Sequence, residues 1–353
     1  MQLNIKTIAE MAGVSVSTVS KILNNYTDVS EKTRQRVLEI IEQTGYTPSN
    51  SAKIQLQPAG KSGLIGKSGL VGVIFAGEQN VDFMHPFFVE VLNSFKKQIG
   101  LLGYDLIFFS NEKFMNGGDY FARCQHFQVE GCVIINGERM EPAIRELDRS
   151  AIPCIGVDLE LNGRRSGYVM SDNFQIAARV VEHLYLLGYR ELGFIGSAPD
   201  AEISNLRKAG YIKAIEGFGL QVHERWFVHG EDFFESSGYE AMRAMIRSGP
   251  LPRAVFAASD LLALGAIRAL REEGLSVPED VAIVGCDDIE ASKYTNPTLT
   301  TIRQNKERLG LLAAHMLYDI INNQSEGASF VVEPVLVVRE SCGGGGGGSD
   351  GRA

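Results

Sequence analysis

Two short amphipathic segments separated by a glycine turn, residues 8–12 and 16–23, limit what the start of this chain can form. Ile8, Met11 and Ala12 recur at i, i+3 and i+4, as do Val19, Ile22 and Leu23, so each segment carries one apolar stripe of helical period. The two stripes bury against each other. Gly13 stands where the first helix must stop, and Ser15 is placed to cap the second by accepting from the backbone N–H of Ser17 or Thr18. Val16, Ser17, Ser20 and Lys21 then face outward. Short side chains in the first turn let a helix enter a DNA major groove, where a valine methyl meets a thymine methyl and Ser or Lys meets base-edge acceptors. A third helix capped by Ser30 turns Val37, Ile40 and Ile41 inward and Lys32, Arg34 and Arg36 outward, closing a three-helix unit near Gly45-Tyr46. Such stripes occur in any small helical bundle, so spacing alone leaves a purely structural bundle open.

Charge separates this unit from the rest. Residues 1–62 hold seven Lys+Arg against five Asp+Glu, which leaves 27 against 38 in the remainder of a chain of net charge −9. An acidic body is a poor general polyanion binder, so only the amino-terminal unit is expected to touch DNA, as a dimer that doubles its modest charge. No apolar run approaches the roughly 18–20 residues that cross a bilayer, and no signal-peptide core precedes the first helix, so a cytoplasmic protein without a membrane role is expected. The five cysteines show no Cys-x-x-Cys pair, which favours neither a disulfide framework nor a zinc site. Cys132, Cys154 and Cys286 lie in apolar runs and read as buried thiols.

From Leu70 onward, short β-rich runs such as 71–76, 104–109 and 281–285 alternate with amphipathic stretches such as 89–102. That alternation implies parallel sheets with helices on both faces, in too many units for one sheet. Two lobes follow, about 70–160 with 291–322 and about 161–290 with 323–340. In open parallel sheets ligands sit beyond the carboxyl ends of the strands. The candidates there are Asp82, His85 and Phe87, then Asp158, Ser259-Asp260 and Asp287-Asp288, with Arg207 and Phe233-Phe234 on later loops or helix starts. Carboxylates, one arginine and aromatic faces around a cleft suit a polyhydroxylated ligand. Asp260 and Asp288 are equally readable as helix N-caps, Phe87 and Phe88 as core, and His85 as a turn residue before Pro86.

At this level of detail the chain resembles the LacI/GalR family of bacterial transcription regulators. Ala12-Gly13-Val14-Ser15, Thr18-Val19-Ser20 and Val29-Ser30-Glu31-Lys32-Thr33-Arg34 are similar to its DNA-binding headpiece. His85-Pro86-Phe87-Phe88, Leu187-Gly188-Tyr189, residues 259–265, residues 284–289 and Leu299-Thr300-Thr301-Ile302-Arg303-Gln304 are similar to its body. The resemblance implies a small all-α helix-turn-helix headpiece joined to an α/β body of two doubly wound parallel-sheet lobes, related to periplasmic sugar-binding proteins. It implies that Val16, Ser17 and Lys21 read bases while Ser15, Thr18, Ser20, Asn24, Thr33, Tyr46, Ser49, Ala52 and Lys53 complete the DNA contact. It also places Asp158, Arg207, Phe233, Ser259 and Asp287 at effector-pocket positions, although Ser259 stands where asparagine is common and Cys286 where an aromatic is common.

The joint departs from the family pattern. A hinge segment after Tyr46-Thr47-Pro48 folds on DNA in that family and wedges a leucine into the minor groove. Here that position holds Gln55, with Leu56 one residue later, about 100° round a helix, and Pro58 limits extension. Lys61-Ser62-Gly63-Leu64-Ile65-Gly66 is followed by the near-copy Lys67-Ser68-Gly69-Leu70-Val71-Gly72. The repeated Gly-Lys-Ser is no phosphate loop, since the required upstream glycines are Lys61 and Gln55. The expected organisation is therefore a headpiece at 1–48, a hinge and linker at 49–69, a body at 70–340 and a flexible Gly-rich tail at 341–353.

These features lead to an effector-responsive regulator that binds palindromic double-stranded DNA as a homodimer, with a sugar-like small molecule as effector and no cofactor or metal. A transporter-linked solute-binding protein would have no use for the headpiece. An enzyme would need more than Asp158 and Asp287-Asp288, because no nucleophile elbow, metal-spaced histidines or dinucleotide fingerprint accompanies them.

Overall fold

The computed structural model describes residues 5–23, 29–44, 68–76, 83–109, 119–135 and 140–343, in two compact units that divide between Ser68 and Gly69. The expected hinge residues Ser49, Ala52, Lys53, Gln55, Leu56 and Pro58, the near-repeat up to Lys67, and residues 344–353 lie outside the described set.

The first unit contains α1 (Ile5–Ala12), α2 (Val16–Leu23) and α3 (Glu31–Thr44). Gly13 ends α1 at φ 63°, a left-handed conformation that carries no Cβ penalty for glycine. Ser15 Oγ accepts from the Thr18 N–H at 3.1 Å and Ser30 Oγ from the Thr33 N–H at 3.4 Å, so each cap expected at a helix start is made. Ile8, Ala9, Ala12, Val19, Ile22 and Val37 form the core, with Ile40 and Ile41 packed against it. Met11, expected in the α1 stripe, is instead 55% exposed. One short helix here touches both α2 and α3, and two small alanines at 9 and 12 admit both neighbours where a long methionine would hold them apart.

The second unit begins with β1 (Leu70–Phe75), α4 (Pro86–Leu101), β2 (Asp105–Phe109), α5 (Tyr120–Phe127), β3 (Gly131–Ile135), α6 (Pro142–Arg149), β4 (Cys154–Val157) and β5 (Ser166–Ser171). The chain then crosses into α7 (Asn173–Leu186), β6 (Leu192–Gly196), α8 (Glu202–Gly217), β7 (Phe227–His229), α9 (Glu235–Arg247), β8 (Ala254–Ala257), α10 (Asp260–Glu272), β9 (Ala282–Cys286) and β10 (Thr300–Arg303). It returns through α11 (Lys306–Ile321) and β11 (Ser329–Val332), and crosses once more into β12 (Val335–Val337). The sheets run β11-β5-β4-β3-β1-β2 and β12-β10-β9-β8-β6-β7. Among the described residues every pairing is parallel except β10 with β12. Their buried cores are almost wholly apolar, with Ala, Val, Ile, Leu and Phe predominant, as parallel strands covered on both faces require.

Strand pairing moves the expected lobe limits. β5 pairs with β4, β10 with β9 and β11 with β5, so the crossings fall near 172, 304 and 333 rather than near 160, 290 and 322. Ser166-Gly167-Tyr168-Val169-Met170-Ser171 is polar at both ends, which hides a strand completed only by its neighbours. The body also extends past 340. Ser341 Oγ donates to Ile283 O at 2.6 Å and accepts from the Thr300 N–H at 2.8 Å, and Cys342 is fully buried beside His183 and Thr300. All five cysteines are free and buried. Among the described residues no helix is long and apolar enough to cross a membrane.

Candidate functional site

Two sites emerge, one in each unit. On the first, Val16 is 42% exposed, and Ser17 and Lys21 are exposed on the same helix. The capping bond fixes their direction. Ser15 Oγ lies 2.7 Å from Ser17 Oγ and 2.8 Å from Thr18 Oγ1, which binds three hydroxyls into one cluster at the start of α2. Thr33 Oγ1 lies 2.8 Å from Ser30 Oγ at the start of α3. Backbone N–H groups at both helix starts, with short hydroxyls around them, suit phosphate oxygens. The Ser20 side chain and residues Asn24 and Tyr46 lie outside the described set.

In the body, the strand ends of the two lobes face each other across a narrow cleft lined by His85, Phe87, Phe88, Asp158, Ile203, Arg207, Phe233, Ser259, Asp287 and Gln304. Seven of the eight expected effector residues meet there; Asp82 lies outside the described set. Asp158 follows β4 at φ 53° and Asp287 follows β9 at φ 128°, positions where a non-glycine residue is held against its backbone preference. The chain thus turns each carboxylate back over its own strand end.

Arg207 is the centre of charge. It is 2% exposed, donates from Nε to Asn173 Oδ1 at 2.9 Å, and from Nη1 to Ala258 O at 2.5 Å. Burial opposes its charge, and Cys286, Asp287, Asp158 and Asp260 outweigh that and raise its pKa. Burial pushes Asp158 up to about 6, against the opposing pull of Arg207 and a bond from the Ser171 backbone. Asp287 is likewise pushed up by burial to about 6, although Arg207 and the amide of Gln304, 2.7 Å from its Oδ1, pull it down. Burial and then Arg207 lower His85 to about 4, so its imidazole is neutral near pH 7.

Among the described residues, four cleft atoms are buried without a hydrogen-bond partner: His85 Nδ1 and Nε2, Asp158 Oδ1 and Gln304 Oε1. Buried polar atoms left alone cost roughly 1–3 kcal/mol each, so their convergence points to a ligand that supplies the missing bonds. A larger hollow on the first lobe, around Phe121, Met140 and Arg145, holds none of these atoms.

Other candidates take structural roles. Ser259 caps α10, accepting from the Leu262 N–H at 3.1 Å and donating to Phe233 O at 3.1 Å, so it lines the cleft with its hydroxyl already engaged. Asp260 is not the cap. Its carboxylate holds Thr301 Oγ1 at 2.5 Å and the Ile289 N–H at 2.9 Å. Asp288 is no cap either, because Arg303 and Arg339 hold it at 2.6 and 2.5 Å. Phe87 and Phe88 belong to the core and also line the cleft. Asn173 and Gln304 were missed as site residues. Gln304 ends the Leu-Thr-Thr motif, but only pairing of β10 with β9 turns it toward Asp287.

A helix-turn-helix unit with an exposed second helix, joined in one chain to a two-lobed α/β body with a polar cleft, defines a ligand-controlled DNA-binding regulator. Residues 4–49 match the bacterial regulatory proteins, lacI family, and residues 181–342 match the periplasmic binding protein-like domain. The HTH-type transcriptional repressor PurR of Pasteurella multocida is 31% identical over 344 residues, 96% of this chain and 98% of that protein. Among solved structures, the complex of the transcriptional regulator CelR with cellobiose superposes with a TM-score of 0.71 at 28% identity, covering 96% of this chain and 100% of that one. The lac repressor dimer bound to operator and the anti-inducer ONPF gives 0.72 at 27% identity, covering 97% and 99%. The chain belongs to the LacI family: it is a transcriptional repressor with a ligand-binding body.

Proposed function

We propose that this repressor binds a palindromic operator as a cytoplasmic homodimer, one headpiece per half-site, and that a small neutral polyhydroxylated molecule in the cleft controls that binding. Val16, Ser17 and Lys21 read base edges, while Ser15, Thr18 and Thr33 contact phosphates. The observation that carries the effector reading is the set of unpartnered buried atoms in the cleft. Asp158 Oδ1 and Gln304 Oε1 require donors, and neutral His85 offers one donor and one acceptor. Hydroxyl groups supply both, and Phe87, Phe88 and Phe233 offer rings to the C–H face of a sugar. The solved complex of CelR with cellobiose supports a carbohydrate.

The test is a mobility-shift titration on DNA selected from a random duplex pool, with monosaccharides, disaccharides and purine bases added in turn. A monosaccharide that changes the affinity several-fold supports the reading. A response to a purine base alone overturns the carbohydrate assignment, and indifference to every sugar overturns the sugar switch.

A further inference from the structure

The chain leaving the second lobe after β10 returns three side chains to the turn that carries Asp287. Arg303 Nε lies 2.6 Å from Asp288 Oδ2, and Gln304 Nε2 lies 2.7 Å from Asp287 Oδ1. Lys306 Nζ donates to Asp287 O at 3.2 Å and to Asp288 O at 2.8 Å. The same ammonium lies 3.0 Å from Glu90 Oε1 on α4. That helix starts at the opposite wall of the cleft, with His85, Phe87 and Phe88.

The Lys306 side chain is only 10% exposed, whereas Glu90 is 47% exposed. A lysine rarely surrenders its water, and here two carbonyls and a carboxylate engage all three of its donors. Its base is rigid. A Cβ on Gly310 of α11 would fall 2.3 Å from Val91 O and 2.7 Å from Phe95 N, so α11 and α4 touch backbone to backbone and move as one body. The turn it grips is strained, with Asp287 at φ 128° and Asp288 at φ 50°. A charged tether therefore runs from one wall of the cleft to the other.

We propose that Lys306 is a positioning residue that latches the cleft-facing 287–288 turn of the second lobe to α4 of the first, with Glu90 as its counter-charge. The latch narrows the range of lobe closure, the motion by which two-lobed bodies report an occupied cleft. Losing it widens that range before any ligand is added.

The test uses the full chain with spin labels at exposed positions on each lobe, Glu146→Cys on α6 and Glu216→Cys on α8; the native cysteines are all buried. Interlobe distances are measured by pulsed electron resonance without ligand or DNA. The latch predicts that Lys306→Met shifts the distribution to longer, broader values, that Glu90→Gln shifts it in the same direction by less, and that Lys306→Arg restores it. If Lys306→Met does not fold, the half-exposed Glu90→Gln carries the test alone. An unchanged distribution in the folded variants, even with a lowered melting temperature, overturns the proposal, because a merely structural lysine would do that.

Discussion

The headpiece and the body use polar side chains in opposite ways. In the headpiece Val16, Ser17 and Lys21 stand in solvent beside a core built from Ile8, Val19, Ile22 and Val37, and their geometry comes from one capping serine. In the body Asp158, Arg207 and Asp287 are each no more than 4% exposed, and their geometry comes from strand ends, backbone strain and one another. Groups that enter a DNA groove must be exposed before binding and gain from phosphate and base contacts afterwards. Groups that discriminate a small neutral ligand act in a dry cleft, where an unmatched hydrogen bond is expensive. The first site is therefore robust and locally encoded, and the second is tense and jointly held.

The largest expected effect tests that tension. Arg207→Leu leaves Asp158, Asp260 and Asp287 without their shared cation and should destabilise the body by about 3–5 kcal/mol in denaturant unfolding. A loss within experimental error would mean that the carboxylates carry no charge in the folded body. In the headpiece, Ile8→Ala should cost about 2–5 kcal/mol of that small unit's stability. Calorimetry should then show a headpiece transition lowered or lost while the body's transition stays in place; a shift of both would show that the two units unfold together.

Lys21→Ala should cost about 1–3 kcal/mol in discrimination between selected and random DNA, with the body's melting unchanged. Equal losses on both DNAs would reassign Lys21 to phosphate contact. The smallest effect concerns pH. Asp158 is raised from 3.8 to about 6, so the folded body holds more protons than the unfolded chain in that window. Stability therefore falls as pH rises from about 4 to about 6, and the penalty is complete above it. Asp158→Asn should flatten part of that fall in pH-dependent melts. An unaltered slope would show that Asp158 is ionised throughout.

The two regions also differ in how far they were legible beforehand. Gly13, Ser15 and Ser30 announced the helix limits because a turn and a cap act over three or four residues. Met11 and Ala9 were exchanged because the roll of a helix depends on how many neighbours it must admit. In the body, residues after apolar runs gave most of the cleft, since a parallel strand always delivers its next residue to the same edge. The three crossings were each expected too early, because β5, β10 and β11 acquire their identity from partners distant in sequence. Ser341 and Cys342 looked like the start of a tail and prove to be core for the same reason.

By itself, then, the sequence determined the three-helix headpiece, its outward face, the alternating α/β body and the family to which both belong, since periodicity, capping and short motifs are local properties. Only the tertiary structure decided which carboxylates share Arg207, which atoms remain unpartnered in the cleft, and that Lys306 reaches Glu90. Those depend on distances between residues as far apart as 90 and 306, which are set when two sheets pass the chain between them three times.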